Sequence, residues 1–150
     1  MKDLHKNKRG FSLIEIMVVL GIFSIIATFS LFASMDFWRS SSFRGERNLI
    51  VGILQKARSE SMSNINELPH GVHIDPNQYV LFEGNTYNPL DPKNEKHEAN
   101  PSISHSGMTE VIYDRLSGKA ITVGGSLVLS QGSNQSVISI NNEGQINWTN

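Results

Sequence analysis

A chain of 150 residues has room for one ordinary domain and an appendage. With 13 Lys+Arg against 14 Asp+Glu the formal charge is −1, and the absence of cysteine excludes a disulfide framework and a thiolate metal site. The near-neutral total hides an uneven distribution: residues 1–10 carry +3, residues 39–60 again +3, and residues from Ile65 onward −5.

Lys2, Lys6, Lys8 and Arg9 form a basic leader that ends at Gly10. From Phe11 to Ala33 the chain is apolar, and Glu15 is its only charge. A helix over that run is about 35 Å long and spans a bilayer core of about 30 Å. A secretory signal places its cleavage site after the apolar run, whereas here the small residue Gly10 precedes it. The positive-inside rule keeps the leader in the cytoplasm and carries the C-terminal part across.

Asp36, Phe37, Trp38 and Arg39 suit the membrane interface and mark the end of the span. Ser40-Ser41-Ser42 and Gly45 predict a bend or a melted turn, because serine competes for backbone hydrogen bonds and glycine costs about 1 kcal/mol in a helix. The helical pattern resumes from Glu46 to Met62, with Leu49, Ile50, Ile53, Leu54 and Ala57 on one stripe that needs a partner. Arg47, Lys56, Arg58 and Glu60 fall mostly on other faces and read as a solvated surface. The helix is expected to end between Asn64 and Pro69.

Beyond Pro69 the period changes to two. Gly71–Ile74 and Gln78–Phe82 flank Asp75-Pro76-Asn77 and predict a hairpin. Thr86 to Ser106 is rich in Pro, Asn, Ser and charge without apolar period, which predicts a long surface loop. Strands are then expected at Glu110–Leu116, Ser126–Ser130, Ser136–Asn141 and Gln145–Trp148, with a shorter one at Ala120–Val123, connected as an antiparallel meander. The fold class is α+β: a long N-terminal helix, transmembrane and then amphipathic, packed on an antiparallel β-sheet head. The expected boundaries are a leader at 1–10, a transmembrane helix at 11–38, an amphipathic helix at 39–64 and the head at 65–150.

Gly10-Phe11-Ser12-Leu13-Ile14-Glu15, set between a basic leader and a spanning apolar run, resembles the type III signal of type IV prepilins and pseudopilins. Further along, the chain resembles the H-type minor pseudopilins of type II secretion and their type IV pilus counterparts. That likeness rests on Ala57-Arg58-Ser59-Glu60-Ser61, on Gly71–Ile74 with Tyr79–Phe82, on Val111–Gly118 and on Ile138-Ser139-Ile140 through Gly144. The resemblance implies cleavage by a prepilin peptidase between Gly10 and Phe11, N-methylation at Phe11, and a mature subunit that is a substrate and not an enzyme. It implies a single pass through the cytoplasmic membrane with the head outside, later entry into a filament, and contacts with other pilins or pseudopilins, the inner-membrane assembly platform and membrane lipid.

Glu15 carries the sharpest chemistry, because a carboxylate in a hydrocarbon segment needs a partner. By resemblance it pairs with the N-terminal amine of a neighbouring subunit during assembly. The alternative is a local role, in which the helix dipole and the Phe11 amine of the same chain satisfy it.

No cofactor is expected. The histidines His5, His70, His73, His97 and His105 are dispersed, and Asp91, Asn94, Glu95 and Glu98 lack the glycine-containing order of a calcium loop, so no metal site is expected. No G-x-S-x-G occurs. A competence-type minor pilin that binds DNA is the rival reading. The acidic head, with no Lys or Arg after Lys119, disfavours nucleic acid as a partner.

Overall fold

Leucine, isoleucine, methionine and serine without an interior proline carry one α-helix, α1, through Leu13–Met62. The computed structural model describes residues 10–121 and 125–149, and the side chains of residues 31–36 lie outside that description. The leader residues Lys2, Lys6, Lys8, Arg9 and His5 therefore fall outside the described residues, as does the second half of the short strand expected at Ala120–Val123. The chain divides into two units, Met1–Arg39 and Ser40–Asn150.

In the first unit, the stretch Leu13–Ser30 is long and apolar enough to cross a membrane, and none of it is buried within the protein. Its three hydroxyl groups of the last turns are satisfied internally: Ser24, Thr28 and Ser30 donate to the carbonyls of Leu20, Ser24 and Ile26 at 2.8, 2.8 and 2.9 Å. That arrangement suits hydrocarbon, where no water is available to take the bond.

The second unit opens with helix where a melted turn was expected. Residues Ser40 to Gly45 stay helical. Tertiary packing overrides the local propensity there, since Phe43 and Glu46 are buried, and Gly45 faces open space. Helix α1 ends at Met62; Asn64 takes a left-handed conformation with φ 54°, and a 3-10 helix spans Ile65–Glu67.

Eight strands follow: β1 (His70–Asp75), β2 (Gln78–Glu83), β3 (Glu95–Glu98), β4 (Ser104–Gly107), β5 (Glu110–Tyr113), β6 (Ser126–Gln131), β7 (Asn134–Ile140) and β8 (Ile146–Thr149). They form two four-stranded antiparallel sheets ordered β3-β2-β1-β5 and β4-β6-β7-β8. The expected hairpin is β1–β2, in register from His70↔Glu83 to Asp75↔Gln78. The expected meander holds only for β6-β7-β8. Strand β5 returns beside β1, and β4 joins the second sheet.

The expected Thr86–Ser106 loop is corrected too, because it contains β3 and most of β4. Strand β3 reads Glu95-Lys96-His97-Glu98 and is largely exposed, so it forms by main-chain pairing to β2 and leaves no apolar alternation to read. The same segment buries Ala99 and Ile103, and Tyr87 stacks on His73 at 4.1 Å and lies 5.5 Å from Phe82. Tyr87 covers part of the outer face of the first sheet, and Tyr79, Val80, Leu81 and Phe82 are all buried instead of alternating.

The core joins Ile50, Ile53, Leu54 and Ala57 of α1 to Val72, Tyr79, Leu81, Val111 and Tyr113 of the first sheet and Leu127, Leu129, Ile138 and Ile140 of the second. Each such aliphatic side chain contributes about 1.5–3 kcal/mol by leaving water. The fold is α+β, an N-terminal apolar helix continuing into a helix packed on antiparallel sheets.

Candidate functional site: the N-terminal segment and the polar ties of the head

At the start of α1, Ser12 acts as the N-cap. Its hydroxyl accepts the Glu15 N–H at 3.3 Å, and its carbonyl accepts the N–H groups of Glu15 and Ile16 at 3.1 and 3.3 Å. Ser12 and Glu15 thus have the spacing of a capping box and place a carboxylate in the first turn, where the exposed N–H groups favour negative charge. Gly10 has no atom outside its neighbours within 4 Å of the place a Cβ would take, and Phe11 is 78% exposed. Gly10 and Phe11 lie exposed just ahead of α1, and Glu15 lies exposed in its first turn.

Residues 5–31 match the family model of the prokaryotic N-terminal methylation motif. The chain carries a type IV pilin-like N-terminus. Comparison with curated proteins and with solved structures found no match. For a pilin-like chain the motif implies processing by prepilin peptidase and assembly with other pilins, and with the apolar helix it points to a single-pass membrane anchor.

In the head, the buried polar groups lie at element junctions. Tyr79 of β2 donates its hydroxyl to Glu46 Oε1 at 2.6 Å and sits 2.5 Å from His105 Nε2 of β4. A phenol has one proton to give, so with that proton on Glu46 the His105 Nε2–H donates to the Tyr79 oxygen. The Asn100 N–H donates to the same Glu46 Oε1 at 3.0 Å, and Asn100 Nδ2 donates to Ser42 Oγ at 2.8 Å. One network therefore ties α1 to both sheets. Burial, reinforced by Glu46, pushes the Tyr79 hydroxyl well above the usual phenol range, and burial holds His105 below its ordinary value against a weaker opposite pull from Glu46.

At the other end of the helix Ser61 is fully buried. Its hydroxyl donates to the Tyr113 carbonyl at 3.0 Å and accepts the His70 N–H at 2.8 Å, and its own carbonyl accepts the Leu116 N–H at 2.9 Å. The charged residues expected on a solvated face are used as ties as well. Lys56 pairs with Glu95 of β3, and Arg58 donates to the carbonyls of Gly118 and Glu143 at 3.2 and 3.1 Å. Lys56 stays on the solvated face as expected while it pairs with Glu95, whereas Arg58 is half-buried and reaches across to the turns before β6 and β8. The Lys56–Glu95 hydrogen bond lowers the Glu95 pKa, and the Lys93–Glu83 bond does the same for Glu83.

The dispersed histidines stay dispersed. His73 lies between Glu110 Oε2 and Asp75 Oδ1, each 3.2 Å from a different ring nitrogen, while His97 is on β3 and His105 on β4. Carboxylates on opposite sides of one ring do not converge on a common ion. Asp91 accepts the Lys93 N–H at 2.9 Å and Asn94 donates to the Asn88 carbonyl at 2.7 Å, so these groups close their own turns. Among the described residues no group of three or more metal-ligating side chains is found.

The sequence reading missed Glu46, Tyr79 and His105 as a unit. One signal was present: Glu46 lies three residues after Phe43 and four before Ile50, on the apolar stripe itself. A carboxylate at that spacing demands buried donors.

Proposed function

We propose that this chain is a minor pilin or pseudopilin of the H type, a structural or assembly-priming subunit of a type II secretion pseudopilus or a type IV pilus. The observation that carries the reading is the methylation motif over residues 5–31, set on an exposed Gly10–Phe11 junction immediately before an apolar helix. Prepilin peptidase cuts between Gly10 and Phe11 at the cytoplasmic face, where glycine offers no side chain to obstruct a membrane-embedded protease. Phe11 is then N-methylated. The basic leader is lost, the apolar helix is kept, and the chain is the substrate of this chemistry and not its catalyst.

Glu15 then has a partner of opposite charge. Its place in the first turn, beside the new amine, supports a pairing between the carboxylate of one subunit and the amine of its neighbour as the helix enters a filament. Orientation follows from the leader, which keeps the N-terminus inside and the head outside. The cations Lys56, Lys93 and Lys119 each pair with a carboxylate, which favours protein neighbours over the phosphates of DNA.

Intact-mass and N-terminal peptide analysis of the protein extracted from cells with an active prepilin peptidase tests the processing. The expected product starts at N-methylated Phe11. A chain that still starts at Met1 under those conditions rejects the reading.

A further inference from the structure

Beside the second sheet, an open groove of about 460 Å³ lies between the last turns of α1, at Ser59 and Met62, and the β7–β8 turn, at Gly144, Gln145 and Ile146. Arg58 lines it. Its Nε and Nη2 donate to the carbonyls of Gly118 and Glu143, which fixes the guanidinium plane and leaves donors unused. The turn is shaped around it: Gly144 has φ 71°, and a Cβ there would stand 2.0 Å from the Gly118 oxygen and 3.0 Å from Arg58 Nε. Lys56, Lys93 and Lys119 each have a carboxylate within 4.0 Å, whereas among the described residues Arg58 has none. The groove therefore holds a fixed, half-buried positive charge with neutral walls.

The same groove ends at β8, an edge strand of the second sheet. Strand β8 pairs only with β7 among the described residues. The Asn141 N–H donates to the Gln145 carbonyl at 3.1 Å, so in the register Ile140↔Ile146 and Ile138↔Trp148 the N–H and C=O groups of Ile146 and Trp148 turn to the open side. The head has three other edge strands, β3, β5 and β4, and the two of the first sheet are handled differently. Strand β3 is a run of charge, and β5 is covered by the segment that bridges Tyr113 to Ala120 and bonds Ile121 to Ile112. Strand β8 has neither charge nor proline, and Trp148 is 45% exposed.

We propose that this groove recognises an extended acidic peptide of a partner protein, whose main chain adds to the free edge of β8 while one of its carboxylates is clamped by Arg58. Main-chain pairing supplies affinity, and the guanidinium fork selects the carboxylate. Phosphate would satisfy Arg58 equally, but a nucleic-acid backbone has no alternating N–H and C=O groups to match the open edge of Ile146 and Trp148.

The test uses the full chain in detergent micelles, isotope-labelled, titrated with a blocked heptapeptide of alternating valine and glutamate. The expected result is movement of the Ile146 and Trp148 amide signals together with the Arg58 Nε signal. Affinity should fall at least about tenfold for the valine–glutamine analogue and for Arg58→Gln. A probe N-methylated at alternate backbone amides should lose binding as well, which keeps the test sound if Arg58→Gln loosens the turn. Absence of binding, equal affinity for the glutamate and glutamine peptides, or displacement of the peptide by a single-stranded oligodeoxynucleotide would overturn the proposal. The readout is binding in micelles and does not depend on filament assembly.

Discussion

Glu46 is a carboxylate, 7% exposed, on a helix face otherwise made of Phe43, Ile50, Leu54 and Ala57. Such a group is tolerated only because Tyr79 and the Asn100 N–H supply its bonds. Tyr79→Phe should therefore destabilise the head by about 1–3 kcal/mol, read by chemical denaturation at neutral pH. The network also sets a pH dependence. His105 is held below its ordinary 6.5 in the folded head, so between those two values the unfolded chain binds more protons. Its contribution is fully present above about pH 6.5 and is lost as pH falls through the folded pKa. Thermal melts from pH 7 to 5 should show a falling Tm, with a shallower slope in His105→Gln. A second loss belongs below about pH 4.5, where Glu83 and Glu95, both lowered by their lysine partners, take up protons. Leu116 is a different kind of residue: φ is 64° and the side chain is 64% exposed. Left-handed backbone costs leucine about 1–2 kcal/mol and asparagine less, so Leu116→Asn should raise denaturant stability by up to about 1 kcal/mol. At the N-terminus, Glu15→Ala should leave membrane insertion intact and impair incorporation into filaments, measured by the share of protein recovered in sheared filament fractions.

At the scale of elements, propensity and packing disagree in α1, and packing wins. Gly45 faces open space in a continuous helix, so Gly45→Ala should stabilise by about 0.5–1 kcal/mol in the same denaturation assay. The elements legible in the sequence were those whose signal is local. The apolar run, the stripe Ile50–Ala57, the β1–β2 hairpin around Asp75-Pro76-Asn77 and the strands near 110, 126, 136 and 146 all follow from period and turn chemistry. Strands β3 and β4 were not legible, because Glu95–Glu98 and Ser104–Gly107 are strands by virtue of the neighbour they pair with and not of their own residues. Sheet order was hidden for the same reason. Nothing local in Glu110–Tyr113 says that it lies beside His70–His73. Of the candidate site, Gly10, Phe11 and Glu15 were readable as a linear motif, whereas Arg58 meets Gly118 and Glu143 only once the chain has folded.

The molecule as a whole divides into two units with different surfaces, an exposed apolar helix and a head with a buried core. Every residue of the head's apolar core, from Phe43 onward, belongs to the unit Ser40–Asn150, and the apolar stretch Leu13–Ser30 contributes none of it. A fragment covering residues 40–150 should therefore be soluble without detergent and unfold in one cooperative transition by circular dichroism. Aggregation of that fragment, or a melt with no cooperativity, would show that the head depends on the anchor.

The buried carboxylate of α1 has a mechanical consequence. An apolar helix on an apolar bed can creep along it, since one leucine replaces another at little cost. Moving α1 by a single turn would carry Glu46 away from Tyr79 and Asn100 and strand a charge in the core. Ser61 imposes the same condition at the far end through Tyr113, His70 and Leu116. Two polar detents on one rod fix its axial setting and its rotation together. A pull delivered along the helix is thus passed to both sheets without slippage, up to the load that breaks the detents.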